Sequence, residues 1–201
     1  MTERVTIYFD GACEPTNPKG IASYGFVVYD KDGNSLFEGK GIFDTPFSEN
    51  STNNTAEYTG IIKALSWIIE NGLNDRDIIV KGDSQLAIRQ LNGFYSVKSP
   101  KLIPLFRKTQ KIIKEIKKTN TIHFKWIPRE KNEVADYLSH EAYEELLDES
   151  PELRERIHDK MATEKQKIFM DKLGIQYDSY IGRREASRLI SRCLKKNNQS
   201  R

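Results

Sequence analysis

Cysteine is scarce in this sequence: 201 residues contain two, Cys13 and Cys193, far apart. That excludes a disulfide-stapled scaffold and favours reduced thiols in a reducing compartment. No apolar run is long enough to cross a bilayer, which excludes a helical membrane protein. The opening MTERVTIYFD lacks the apolar stretch of a secretory leader and reads as a strand. A soluble, cytoplasmic protein with no membrane partner is expected. Excess charge of one sign is lacking too. A net charge of +3 is too small to demand a nucleic-acid partner, so one must be sought in local clusters. No internal repeat is present, which excludes a solenoid. What remains is ordinary: 37% hydrophobic and 30% charged residues allow one core with a solvated surface, with or without a small appendage, at this length.

Periodicity divides the chain into elements. Residues 3–10, 21–30 and 34–43 alternate as strands, with Asp32-Gly33 as a hairpin signal between the last two. Gly11–Gly20 reads as a loop. From Thr55 the apolar period becomes helical through Ala56, Ile61, Ile62, Leu65, Ile68 and Ile69, and Gly72 suits the C-terminal cap. Strands are predicted at 77–81 and 121–127. Helices are predicted from Ser84 to about Leu91, from about Pro104 to Lys118, and after Asn132. The order β-β-β-α-β-α-α-β-α predicts an α/β fold: a mixed five-stranded sheet, antiparallel meander plus αβ crossovers, flanked by helices. Composition shifts near residue 147, dividing the chain into a domain at 1–147 and a small all-α extension at 148–201, with helices at 152–159, 163–173 and 183–195.

Four acids stand at element boundaries: Asp10, Glu57, Asp83 and Asp136. A single Asp in such a place is ordinarily a turn former or a cap. Four at boundaries that one sheet would bring together form a different pattern. Anions packed closely repel one another until divalent cations neutralise them. Two such ions can activate water and stabilise a leaving oxygen, the chemistry of phosphodiester hydrolysis. An all-oxygen site suits Mg²⁺, with Mn²⁺ as a substitute.

Tyr8-Phe9-Asp10-Gly11-Ala12, Asn53-Asn54-Thr55-Ala56-Glu57, Gly82-Asp83-Ser84-Gln85 and Asn132-Glu133-Val134-Ala135-Asp136 occur in the order found in type 1 ribonuclease H, and the chain resembles that family over about residues 1–145. The resemblance implies a ribonuclease H-like fold and an endonuclease that hydrolyses the RNA strand of an RNA/DNA hybrid, leaving 5′-phosphate and 3′-hydroxyl ends. It implies that Asp10 bridges two metal ions, that Asp136 helps hold the ion on the water side, and that Glu57 and Asp83 help hold the ion facing the leaving oxygen. It further implies that Asn17, Asn53, Asn54 and Gln85 meet the minor groove, that Thr52 grips a DNA phosphate, and that Phe94 lies against a DNA sugar. Gly11 and Ala12 are small enough to let a sugar-phosphate backbone approach. Two alternatives stay open: a hybrid-binding adaptor without activity, and a nuclease of this fold acting on DNA or double-stranded RNA.

The chain departs from the family pattern in three places. Many members carry a mobile histidine in the loop before the last acidic helix. Here Ile127–Asn132 has none, though Arg129 or Lys131 could contact phosphate. His123 reads as a structural strand residue, and His140, one turn beyond Asp136, as a surface or packing residue. Many members also carry a basic helical protrusion; Asn92–Pro104 is instead a compact connection. Lys98, Lys101, Arg107, Lys108, Lys111 and Lys114 still give a positive stretch. The extension is the third departure. Ile168, Phe169, Leu173, Leu189, Ile190 and Leu194 are its expected mini-core. Arg183, Arg184, Arg188, Arg192, Lys195 and Lys196 make its last helix basic, with nucleic acid or a protein as its expected partner.

Overall fold

The computed structural model describes residues 3–199, with side chains described through Lys195, so that of Lys196 lies outside it. One sheet runs in the order β3-β2-β1-β4-β5. Its strands are β1 (Glu3–Glu14), β2 (Ile21–Tyr29), β3 (Ser35–Phe43), β4 (Arg76–Gly82) and β5 (Thr121–Trp126). The first three form an antiparallel meander, while β4 and β5 run parallel to β1, each reached through helices. The helices are α1 (Asn53–Glu70), α2 (Gln85–Leu91), α3 (Ile103–Ile116), α4 (Glu133–Glu149), α5 (Pro151–Ile157), α6 (Glu164–Lys172) and α7 (Arg183–Gln199). No helix among the described residues is long and apolar enough to cross a membrane.

The period-two pattern of β1 sorts its side chains onto two faces. Val5, Ile7 and Phe9 turn into the main core with Ile61, Leu65 and Ile68 of α1 and Ile113 and Ile116 of α3. Each such fully buried side chain stabilises the fold by about 1.5–3 kcal/mol. Asp10 therefore turns to the opposite face, where α4 packs. Helix α1 begins at a reciprocal cap: Thr52 Oγ1 accepts from Thr55 N at 3.1 Å, and Thr55 Oγ1 accepts from Thr52 N at 3.0 Å. Lys40 on β3 ties down the far side of α4, with Nζ 2.5 Å from Glu141 and 2.6 Å from Glu145.

Two expectations change. Strand β1 does not end at Asp10 but pairs with β2 out to Glu14↔Ile21, because Gly11–Cys13 find ladder partners in Ala22–Tyr24. The extension has a different mini-core from the predicted one. Ala162, Met170, Ile181 and Ala186 are buried, joined by Leu189 and Ile190. Ile168, Phe169 and Leu194 stay 53%, 41% and 40% exposed, because α6 and α7 turn other positions inward. The predicted break after residue 147 falls at the α4–α5 joint. There Ile21, Tyr143, Leu147 and Ile157 share one cluster with Met161 and Tyr180, so the extension packs directly on the sheet-bearing part.

Candidate active site

Four elements deliver the four acids. Asp10 lies on β1 and accepts at Oδ2 from Ser139 Oγ of α4, 2.8 Å away. Glu57, early in α1, accepts at Oε2 from Ser84 Oγ at 2.5 Å. Asp83 follows the last residue of β4. Asn132 Nδ2 donates to its Oδ1 at 3.1 Å and to Phe9 O at 2.9 Å, tying the α4 entry to the middle of β1 and the end of β4. Asp136, in the first turn of α4, accepts at Oδ1 from Arg129 Nη2 at 2.6 Å.

These acids feel one another's charge. Asp10 is 8% exposed, and burial, then Asp83 and Asp136, push its carboxyl up to about 6 against the pull of Ser139 and Arg129. Burial drives Glu57 up to about 8; the Ser84 hydrogen bond opposes this, and Asp10 and Asp83 add to it. Such groups bind protons more tightly folded than unfolded. Their stabilisation is complete below the ordinary carboxyl range and is lost as pH rises through about 6 for Asp10 and about 8 for Glu57. In EDTA the melting temperature should therefore fall by at least ~5 °C between pH 5 and 8. Calorimetry across that range would detect it, and a flat or rising profile would contradict the buried cluster.

Among the described residues, no three His, Cys, Asp or Glu side chains close on one point tightly enough to hold an ion. The reason is visible, since each acid is turned onto a protein donor. The chemistry of the set nevertheless fits a hard divalent cation: all donors are oxygen, and a buried Asp10 feels the charge of Asp83 and Asp136. Beside Asp83, Asn132 Oδ1 is a buried acceptor with no partner.

The other predicted site residues fall into two groups. Asn17, Thr52, Asn53 and Asn54 gather at the start of α1. Asn17 Oδ1 accepts from Asn53 N at 3.3 Å, Thr52 is engaged in the cap, and Asn53 Oδ1 is buried without a partner. Gln85 opens α2 and is exposed, and Phe94, just past that helix, is 76% exposed. Ala12 is buried. Gly11 has a packing reason for its smallness: a Cβ there would lie 2.2 Å from Glu57 N and 2.6 Å from Ala56 C, so the missing side chain seats α1. His123 lies on the exposed side of β5, with Nε2 3.6 Å from Asp77. His140 is partly buried, with its Nε2 3.9 Å from Asp136 Oδ1.

Sequence reasoning missed Ser139, Gly25 and the contacts of Asn132. Ser139 was findable, because it follows Asp136 by three positions and so shares its helix face. Gly25, an isolated glycine inside a strand, is the usual mark of a close backbone approach.

Comparison with known proteins adds a second line. A family described as "Reverse transcriptase-like" matches residues 8–142. A bifunctional protein of Mycobacterium tuberculosis is 33% identical over 140 residues, which are 69% of this chain and 35% of that protein. Ribonuclease HI of Halobacterium salinarum is 34% identical over 142 residues, 71% of this chain and 65% of its own length. The chain thus spans about a third to two thirds of these relatives. Among solved structures, the LC11 RNase H1 in complex with an RNA/DNA hybrid superposes with a TM-score of 0.64 at 36% identity, covering 72% of this chain and 99% of that one.

Proposed function

Since the chain belongs to the type 1 ribonuclease H family, we propose that it is a cytoplasmic endonuclease that hydrolyses the RNA strand of RNA/DNA hybrids, leaving 5′-phosphate and 3′-hydroxyl ends. The observation that carries this reading is Asp10, buried on β1 within electrostatic reach of Asp83, Asp136 and Glu57. Magnesium is the proposed cofactor, as two ions with manganese as a substitute. When bound, the ions supply the charge that activates water and stabilises the leaving 3′ oxygen. Asp10 would hold both, Asp136 the one on the water side, and Glu57 and Asp83 the other.

The chain's own groups do the rest. Ser139 and Asn132 hold Asp10 and Asp83 in place. Arg129, with its side chain 56% exposed, can pass from Asp136 to a phosphate oxygen and so carry positive charge to the strand being cut. The amides of Asn53 and Asn54, at the start of α1, suit the 2′-hydroxyls and base edges of the wide minor groove of a hybrid. Such contacts read sugar chemistry and groove shape, not base identity. The exposed Arg107, Lys108, Lys111 and Lys114 of α3 add nonspecific attraction to phosphates, which salt weakens.

Labelled RNA/DNA, RNA/RNA and DNA/DNA duplexes incubated with Mg²⁺, Mn²⁺ or EDTA test the reading. Internal cuts in the RNA of the hybrid alone, lost in EDTA, are expected. Tight hybrid binding without cutting under either metal would select the adaptor, and cutting of DNA/DNA would select a different substrate class.

A further inference from the structure

We infer that Asp178, in the C-terminal extension, is a positioning residue for the four-carboxylate site and acts through His140. The inference rests on the proposed hybrid nuclease function for its kinetic consequence, but not for its geometry. Asp136 and His140 lie one turn apart on α4, so their side chains share a helix face. The imidazole lies between two acids, one on its own helix and one in the C-terminal extension. Its Nδ1 is 3.2 Å from Asp178 Oδ2, and its Nε2 is 3.9 Å from Asp136 Oδ1. The Asp178 carboxylate, within ion-pair reach of Nδ1, holds the ring from the side of the extension and leaves Nε2 on the side of Asp136. Arg129 faces the same oxygen, Oδ1, from the loop side. The two nitrogen-bearing groups together bias the orientation of the Asp136 carboxylate. When Arg129 turns toward a phosphate, the ring remains as the protein group beside that oxygen.

Asp178 is able to do this because it is not a free surface acid. It opens a strap, residues 178–182, that is pinned along α4 and across the end of β1. Ser179 N donates to Glu144 Oε1 at 2.8 Å, and Tyr180 OH donates to Asp148 Oδ1 at 2.6 Å. Tyr143 OH donates to Tyr180 O at 3.5 Å. Gly182 closes the strap against β1: a Cβ there would stand 3.1 Å from Pro15 and 3.3 Å from Glu14 Oε2. Met161 and Gly182 form an antiparallel bridge that joins the strap to the rest of the extension. The extension is therefore built into the acidic end of the sheet. This placement predicts an effect on turnover, whereas a tail that only gripped duplex phosphates would change affinity.

The test uses the full chain and four variants: Asp178→Ala, Asp178→Asn, His140→Ala and the Asp178→Ala/His140→Ala pair. With hybrid substrate and Mg²⁺, Asp178→Ala should lower kcat about tenfold, the scale of losing a supporting carboxylate behind a histidine, with KM within about twofold. Asp178→Asn keeps an oxygen that can accept from Nδ1 and should recover most of the loss. The double variant should be no slower than His140→Ala alone, because both changes remove the same device. Mn²⁺ binding, followed by electron paramagnetic resonance without nucleic acid, should weaken several-fold in Asp178→Ala. Asp178 has a half-exposed side chain, so the melting temperature should stay within about 2 °C and exclude simple unfolding. Unchanged kcat and Mn²⁺ affinity in Asp178→Ala would overturn the inference. So would a rise in KM that grows with salt while kcat holds, since the extension would then act on substrate binding. If the unmodified protein cuts no hybrid, the proposed function fails by itself, and the Mn²⁺ measurement still decides the role of Asp178.

Discussion

Asp10→Asn should abolish hybrid cleavage and at the same time make the metal-free protein more stable. The first effect follows from the position of Asp10, the acid that senses Asp83, Asp136 and Glu57 together. Losing its charge removes the group shared by both proposed ions. Metal-assisted stabilisation of a transition state is worth several kcal/mol, so a loss of at least ~10³-fold is expected. The second effect follows from burial. Desolvation and two neighbouring acids push the carboxyl of Asp10 up to about 6, so above that pH the fold carries an anion it disfavours. An amide of the same shape relieves that cost and retains Ser139 as a neighbour. Each pKa unit corresponds to about 1.4 kcal/mol, which puts the gain near 2–3 kcal/mol, or several degrees of melting temperature. Calorimetry in EDTA at pH 7.5 and single-turnover cleavage in Mg²⁺ measure the two effects. Adding Mg²⁺ should then raise the melting point of the parent protein but not that of the variant. A variant that is both inactive and less stable would show that the charge of Asp10 is already compensated inside the protein.

Gly25→Ala should be comparably severe for a steric reason. Gly25 pairs with Asp10 in the sheet and faces α4. A methyl group there would sit 2.5 Å from Ala135 O, 2.5 Å from Ser139 N and 2.6 Å from Leu138 Cβ. Two of those three atoms are helix backbone and cannot rotate away. Helix α4 would have to retreat, taking Asp136, Ser139 and His140 with it. Overpacking of this kind costs about 3 kcal/mol. A displacement near 1 Å at a reacting centre costs roughly 10²-fold in rate. Urea unfolding and cleavage assays at a temperature where the variant is folded separate the two losses. Normal activity and stability would mean that α4 does not lie as close to β2 as the structure has it.

The strand and helix order and the sheet type were legible in the sequence because each depends on local pattern. Val5, Ile7 and Phe9 alternate, Ile61 to Ile68 repeat at helical spacing, and the acids stand at the ends of those patterns. What stayed hidden depends on which backbone meets which. Nothing local says that Gly11 seats α1, since the contact is with Ala56 and Glu57, far along the chain. Nothing local links Asp178 to His140 either, because the strap that joins them has no periodicity to read. The mini-core of the extension was misread for a related reason. In helices as short as α6 the apolar face is set by what packs against it, and Met170 was chosen over Ile168 and Phe169.

The glycine pair also bears on how the sheet finds its pairing. Gly11 points to one helix and Gly25, one rung away across the ladder, to the other, each through a gap that admits only hydrogen. Side chains alternate between faces, so a slip of one residue between β1 and β2 would turn one strand over and drive a bulky group into helix backbone. A shifted hairpin formed early therefore cannot survive the docking of both helices. The two layers thus select one register: only the native pairing leaves a glycine at both gaps.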